Sequence, residues 1–214
     1  GEKVGFVADL VYGPRGADAV FGSTGSANIV NQLYAYWNVT DKLTLTMGNF
    51  NTFLGYEVIS PAANFNYSTS YLFSYGPFSH TGIKADIALS EKVSLMLAVM
   101  NPTDATEFNP TGNYTFGAQL GFSGQYLNLV LDGGAYEVDF TGGFDISDTF
   151  FFGLNAAYYD DNGVGFAGAA IYPQLATSDS FTLGFRGEYF AESGDFGAIG
   201  TGVEDSSVFA ATIT

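Results

Sequence analysis

Side chains that commonly carry catalysis or bind metals are few in this chain. Among its 214 residues there is no Cys and one His, His80. A Cys–His pair and a His-rich metal site are therefore excluded. Ser79 and Thr81 are only sequence neighbours of His80, which is no evidence for a catalytic triad. We interpret His80 as a loop residue that makes hydrogen bonds.

Carboxylates are plentiful, but their spacing does not predict a hydrolytic site. Glycoside cleavage requires two carboxyl groups at a defined separation across the scissile bond. Glu137 and Asp139 are two residues apart on one strand face, and a polar strand face collects such pairs without catalysis. The run 160–163 resembles part of a calcium loop but lacks the bidentate Glu at the twelfth position, so we interpret it as a plain turn. We predict that the protein is not an enzyme and has neither a metal site nor a cofactor.

Composition excludes further classes. The chain has 22 acidic and 6 basic residues and a net charge of −16, which argues against nucleic acid because phosphates are neutralised by clustered Lys and Arg. Only 13% of its residues are charged and 17% are aromatic, with a mean hydropathy of +0.15. Either the core is very large or the outer surface does not face water. No apolar run approaches the roughly 20 residues of a membrane helix.

Alternation of apolar with small or polar residues dominates the chain and predicts β-strands. Phe116, Ala118 and Leu120, for example, alternate with Gly117 and Gln119. Most of the alternating segments are about ten residues long, the length that crosses the hydrocarbon core of a bilayer when tilted. We predict twelve strands, near 3–12, 30–40, 43–51, 81–89, 93–101, 113–122, 126–132, 135–145, 149–159, 164–175, 180–191 and 206–214.

The connections between these strands alternate in length. Short polar turns alternate with the longer links 13–29, 52–80, 102–112 and 192–205, although the link at Gly133 breaks the rule. Short turns on one rim and long loops on the other are typical of bacterial outer-membrane barrels. Charged strand residues also fall opposite the main apolar row of their strand. We therefore predict an all-β, transmembrane, antiparallel up-and-down β-barrel of about 12 strands, with residues 1–214 as one domain.

A soluble β-sandwich shows the same alternation, with its apolar face turned inward. Strand length, one-sided long loops and aromatic residues near strand ends, such as Trp37, Tyr114 and Tyr158, favour the membrane. In the barrel, the other row of each strand encloses hydrated space. We predict that this row lines a pore through Gln32, Tyr34, Tyr36, Lys84, Asp86, Gln119, Asn128, Asp132, Glu137, Asp139, Asn155, Arg186 and Glu188. Acids outnumber bases there, which predicts a modest preference for cations.

The link 52–80 is long and too rich in aromatic residues for a water-swept loop. Long ordered loops are often functional. One interpretation is a constriction folded into the barrel, with a short helix near 64–75; the alternative is that it packs against the rim or fills the barrel without gating. The candidate constriction residues are Tyr56, Glu57, Asn64, Phe65, Tyr67, Tyr71, Phe73 and His80.

The same region carries a resemblance to a known family. The stretches GNFNTFLGYEVI (48–59), NFNYSTSYLFSYGPFSHTGIK (64–84) and FRGEYF (185–190) resemble the OmpL-like β-barrel porin family of Gram-negative bacteria. The resemblance covers roughly residues 1–190 and implies an outer-membrane location and a pore role. Members of that family are longer, and outer-membrane barrels commonly end in an aromatic residue, whereas this chain ends in Thr214. We therefore expect a fragment of a larger barrel.

These observations lead to one main functional hypothesis and two alternatives. The first is an outer-membrane channel for passive diffusion of small solutes or ions. Its partners would be the lipid bilayer and lipopolysaccharide, with a homo-oligomer or envelope complex as further options. The second is a plugged barrel that serves as a structural anchor or as a subunit of an envelope complex. The third is a soluble β-sandwich binding protein.

Overall fold

The computed structural model describes residues 3–11, 29–109 and 111–214. The predicted link 13–29 therefore lies outside the described residues, apart from its last residue. The strands are β1 (Val4–Leu10), β2 (Val30–Thr40), β3 (Leu43–Asn51), β4 (Ser79–Ala88), β5 (Val93–Met100), β6 (Thr115–Phe122), β7 (Gln125–Asp132), β8 (Ala135–Ser147), β9 (Phe150–Asp161), β10 (Val164–Ser178), β11 (Phe181–Ser193) and β12 (Ser207–Ile213). A 3-10 turn (Pro61–Ala63) and one short helix, α1 (Tyr71–Tyr75), lie between β3 and β4.

The twelve strands form one sheet in which each strand lies beside its sequence neighbours, in the order β1 to β12. The ladders from β1–β2 to β5–β6 and from β8–β9 to β11–β12 are antiparallel. β1 and β12 end this order, and no pairing joins them within the described ranges. The predicted all-β, antiparallel up-and-down arrangement of twelve strands is confirmed. No helix in the described ranges has the length and apolar character needed to cross a membrane.

Most strand limits match the alternation, and the exceptions follow from backbone pairing. β4 begins at residue 79 because His80 continues the ladder opposite Phe50. His80 is therefore a strand residue, and the link before it ends at residue 78. β8 and β10 extend to residues 147 and 178 because Ser147 and Ser178 still pair across the following turns.

Two hairpin turns have the backbone conformation that their sequences favour. Asn162 and Gly163 have φ values of 54° and 91°, and Ser123 and Gly124 have 51° and 86°. Two successive residues with positive φ match the right-handed twist of the flanking strands. The Asp160 carboxylate accepts a hydrogen bond from the Gly163 amide (3.2 Å), so this run forms a turn, as its sequence indicates.

The two faces of the strands have opposite environments. The apolar row is exposed: Phe116, Leu97 and Phe185 keep 56%, 48% and 38% of their surface accessible. The polar row is largely buried, including Asn128 and Asp139. A soluble sandwich would bury the apolar row and hydrate the polar row, so this distribution opposes it. An exposed apolar band with a polar interior row is the pattern of a sheet in lipid.

The chain divides into two compact units. Unit 1 comprises residues 1–53, 77–123 and 129–133, and unit 2 comprises residues 54–76, 124–128 and 134–214. In unit 1 the buried apolar cluster contains Phe50, Met96, Ala98 and Met100, with Phe53 packed against it. This explains why β5 is apolar on both faces: Met96 and Met100 are buried on its polar row. In unit 2 the cluster contains Leu72, Phe166, Ala170, Tyr172 and Phe190.

Candidate functional site

Residues 54–76, called here the inner segment, lie against the polar row of strands in unit 2. The segment begins beside β8 and β9, where the Gly55 amide donates to the Asp139 carboxylate (3.1 Å) and the Tyr56 amide to the Asn155 side chain (3.4 Å). It then reaches the last residues of β12, because Ser68 contacts Thr212. Since β12 ends on the short-turn rim, the inner segment follows the polar row from the long-loop end towards the short-turn end.

Asp139 organises the first of these contacts. Its Oδ1 accepts from the Asn128 side chain (2.6 Å) as well as from Gly55, and its Oδ2 accepts from the Asn155 side chain (2.5 Å). Asp139 is 1% exposed. Burial of a carboxylate is costly unless its lone pairs are satisfied, and three donors satisfy them here. Asp139 therefore joins β7, β8, β9 and the inner segment.

A buried ion pair fixes the middle of the inner segment. Arg186 on β11 donates from Nη1 to Glu57 Oε1 at 2.8 Å, and the two side chains are 5% and 3% exposed. The guanidinium also donates to the Ser68 carbonyl and, at 3.1 Å each, to the hydroxyls of Ser68 and Thr212. Glu57 Oε2 accepts from the Ser70 amide (2.7 Å) and hydroxyl. The planar guanidinium thus joins the inner segment to β11 and β12.

Glu188, two residues along β11, holds the start of α1. Its carboxylate accepts from the amides of Tyr71 and Leu72, both at 2.9 Å. These amides have no acceptor within the helix, since the first amides of any helix lack one, and a negative charge is favourable there. Ser70 caps the same helix through its hydroxyl, which accepts from the Phe73 amide (3.0 Å).

Aromatic rings complete the packing of the inner segment. Tyr71 stacks on Phe190 with centroids 5.3 Å apart, and Tyr56 stacks on Tyr172 at 4.2 Å. Glycines on the strands make room for this approach. A Cβ on Gly153 would lie 2.5 Å from the Tyr56 hydroxyl, and a Cβ on Gly184 would lie 2.1 Å from the Phe65 ring. A larger residue at either position would push the segment away from the strands.

Comparison with known proteins identifies the family to which the chain belongs. The family model described as "Putative beta-barrel porin-2, OmpL-like" matches residues 1–214. The chain belongs to this family. The solved structure of Acinetobacter baumannii OccAB3 is similar at a TM-score of 0.45 and 12% identity over 88% of this chain. The chain spans 56% of the length of that protein. No curated protein matches the sequence.

Membership of the family confirms the resemblance that the sequence carries around residues 48–84 and 185–190. It also agrees with the strand pattern, because a β-barrel porin is built from antiparallel strands with a lipid-facing apolar band. The family thus gives a porin-like outer-membrane barrel as the class of this protein.

Several predicted pore-lining residues come together in unit 2 through the inner segment. Asn128, Asp139 and Asn155 form one hydrogen-bonded group. Arg186 and Glu188 bind the inner segment separately, Arg186 through Glu57 and Glu188 through the first amides of α1. Glu137 lies on the same polar row and is buried. That these residues line a pore stays a prediction, because the contacts that the structure shows for them are with other protein groups.

The predicted pore-lining residues of unit 1 form separate local contacts. Lys84 pairs with Asp86 at 2.9 Å, with side chains 23% and 42% exposed. Gln119 donates to the Phe53 carbonyl (3.1 Å), Gln32 accepts from the Asn51 amide (3.1 Å), and Asp132 accepts from the Thr103 amide (2.9 Å). Tyr34 and Tyr36 lie on the polar row of β2, and Tyr34 packs against the buried apolar cluster of unit 1.

The predicted constriction residues take different positions. Glu57, Tyr56 and Tyr71 contact the strands as described, and Asn64 closes a small loop through two hydrogen bonds to the Val58 backbone. Tyr67 is 87% exposed. Phe65 lies over Gly184, and Phe73 is the third residue of α1.

His80 lies in unit 1, where its Nε2 contacts the Thr52 hydroxyl at 3.0 Å and its ring lies 5.1 Å from Phe53. The hydrogen bonding expected of His80 is thus present, although its position is in a strand.

Some residues of the site were absent from the sequence-based set. Ser68 and Ser70 contact the charged groups of the site, and Tyr172 contacts the Tyr56 ring. Asn66 accepts a hydrogen bond from the Thr214 hydroxyl. Ser70 precedes a short apolar run, and this helix-capping pattern is a signal that the sequence offers. The others carry no such signal, because their partners are distant in sequence.

Proposed function

We propose that this protein forms an outer-membrane channel through which small solutes or ions diffuse, and that the inner segment narrows the path along unit 2. The burial of the polar row beneath the inner segment is the observation that carries the proposal. In a barrel this row faces the interior, because the exposed apolar row faces lipid. A segment fixed to the polar row therefore occupies interior space. The family supports the channel role.

The charges of the polar row favour cations. In unit 2 this row carries Glu137, Asp139 and Glu188 against the single base Arg186, whose charge is paired with Glu57. Rings of acidic side chains favour cation passage. We propose a modest cation preference.

Conductance in planar bilayers tests the channel and its constriction together. The full protein should give stepwise currents, and a salt gradient should give a reversal potential of the sign expected for cation preference. A variant in which a short Gly-Ser linker replaces residues 57–75 should conduct more, because the segment no longer occupies the interior. Equal conductance of the two proteins contradicts the constriction, and anion preference contradicts the proposed selectivity.

A plugged barrel that acts as an anchor is the second candidate. The favouring observation is that the inner segment is held by two buried, fully bonded carboxylates, Glu57 and Asp139, rather than by weak surface contacts. This candidate predicts a silent full-length protein and a conducting variant without residues 57–75. The same recording therefore separates the two functions.

A further inference from the structure

A recess of about 650 Å³ lies within unit 2, between the inner segment and the polar row of β9 and β10. The inner segment contributes Tyr56 and Glu57 on one side and Asn64 to Asn66 on the other, and the strands contribute Phe151, Tyr172 and Gln174. Phe151 and Gln174 are paired across the two strands, close to the short turn before β9. Ligand sites commonly have volumes of about 300–1,000 Å³ and combine apolar walls with a few polar groups.

The apolar part of this recess is aromatic. Tyr56 and Tyr172 stack on each other with an interplanar angle of 19°, which covers one face of each ring, and Tyr172 is buried. Phe65 is 37% exposed and is the aromatic ring most accessible to a ligand among these three. Aromatic faces carry partial negative charge and attract the positively polarised C–H edges of a ligand. Sugar rings present such C–H faces. Aliphatic walls of the same size would lack this preference.

The polar part of the recess consists mainly of carboxamides. Asn64, Asn66 and Gln174 each carry both donors and acceptors without a formal charge. The Asn64 amide is engaged with the Val58 backbone, and Asn66 accepts from the Thr214 hydroxyl (2.8 Å), so both are held in place. Hydroxyl groups, which donate and accept, match such amides.

The one charged residue of the lining is neutralised. Glu57 is paired with Arg186, and both its oxygens are hydrogen-bonded. A cation finds no unpaired carboxylate here, and an anion would lie beside Glu57. The charge distribution therefore favours an uncharged ligand.

We propose that this recess is a binding subsite for an uncharged, polyhydroxylated solute of mono- or disaccharide size. The proposal rests on the proposed channel function and specifies its substrate class: the subsite would hold a sugar on its way past the inner segment. Aromatic stacking would supply the attraction and the carboxamides the orientation.

Titration with maltose tests the subsite in two ways. In planar bilayers maltose should reduce the ion current of the full protein in a saturable manner, whereas sodium gluconate, which has similar hydroxyl groups and a negative charge, should reduce it much less. Calorimetry of the detergent-solubilised protein with maltose measures the same binding without any need for conductance.

Two variants locate the binding. Phe65→Ala removes one aromatic face and should raise the half-saturating maltose concentration about tenfold, and Gln174→Ala removes one hydrogen-bonding side chain and should raise it about fivefold. Val58→Ala, in the same segment but outside the recess, serves as the control and should leave it unchanged. Circular dichroism, and the difference in electrophoretic mobility between heated and unheated samples, establish that each variant is folded.

The possible failures are distinguishable. A conducting protein that maltose neither blocks nor binds overturns the subsite and leaves the channel standing. A silent protein that binds maltose by calorimetry, with the expected loss in Phe65→Ala and Gln174→Ala, overturns the channel and leaves the recess as a sugar site. Equal maltose affinity in the native protein and both variants overturns this location.

Discussion

The buried pair between Arg186 and Glu57 gives the sharpest prediction for stability. Replacing Arg186 with Met leaves Glu57 buried without its partner and removes the donors to Ser68 and Thr212. Removing one partner of a buried pair costs about 3–5 kcal/mol, because the remaining charge is uncompensated. The equilibrium constant for unfolding should therefore rise roughly a hundred- to several-thousand-fold.

A second substitution should recover part of this loss. In the Arg186→Met background, Glu57→Gln removes the orphaned charge and keeps a side-chain oxygen that accepts from Ser70. The double variant should be more stable than Arg186→Met alone by about 2 kcal/mol, within the range of coupling between contacting residues. Lys84→Met provides the matched control, since the Lys84–Asp86 pair is 23% and 42% exposed and such pairs contribute less than about 1 kcal/mol.

Reversible unfolding in denaturant, with the protein in detergent or lipid vesicles, measures these differences. The single tryptophan, Trp37, reports the transition by fluorescence. Trp37 is 47% exposed on the apolar row of β2, distant in sequence from the substituted residues. The reasoning fails if Arg186→Met costs no more than Lys84→Met, or if adding Glu57→Gln lowers stability further.

Three further predictions concern the strand faces, a buried acid and a close contact. Leu97→Arg places a charge in the middle of the exposed apolar row and should lower the free energy of unfolding in vesicles by about 2–4 kcal/mol. Tyr36→Arg, on the polar row, should lower it clearly less. The reverse order would show that the two strand faces are wrongly assigned. Burial raises the pKa of Asp104, in the link after β5, to about 6. The free energy of unfolding should therefore fall by up to about 3 kcal/mol as the pH rises from about 4 to above 6. Asp104→Asn should remove this pH dependence, and a variant with the same pH profile as the native protein would contradict the prediction. Gly184→Val should displace Phe65 and cost about 1–3 kcal/mol of unfolding free energy by overpacking, whereas native-like stability would show that the ring does not need this space.

The sign of the Asp104 effect follows from its environment. Its carboxylate accepts from the amides of Phe78 and Ser79, both at 2.8 Å, which lowers its pKa, but desolvation by burial is the larger cause and raises it. A group whose pKa is higher in the folded state stabilises the fold in its protonated form. That contribution is complete below the unfolded pKa near 3.8 and is lost as the pH passes about 6.

The strands were predictable because alternation is a local property. The segment 164–175 illustrates the limit of such prediction, since Ala and Gly occupy much of it. The structure gives β10 as fifteen residues, and the small residues have a reason there: a Cβ on Gly168 would lie 2.9 Å from the Leu72 side chain of the inner segment. Composition alone shows the small residues but not the neighbour that requires them.

The site was predictable only in part. The aromatic content of residues 52–80 indicated that this segment is not a water-exposed loop. The positions of Arg186 and Glu188 in the alternating pattern placed both on the polar row. The partners were not predictable, because Arg186 and Glu57 are separated by 129 positions. Ser68 and Thr212 lacked a signal for the same reason, and the continuation of β4 through His80 depends on pairing with Phe50.

The sequence by itself determined which side chains share a face and that the apolar row is too continuous for a hydrated surface, because strand geometry sends successive residues to opposite sides. Only the tertiary structure decided that the polar row is covered by the inner segment. It also decided which carboxylate meets the guanidinium and where an aromatic recess remains open. Such contacts depend on bringing distant residues within about 3 Å, and a local repeat contains no information about that distance.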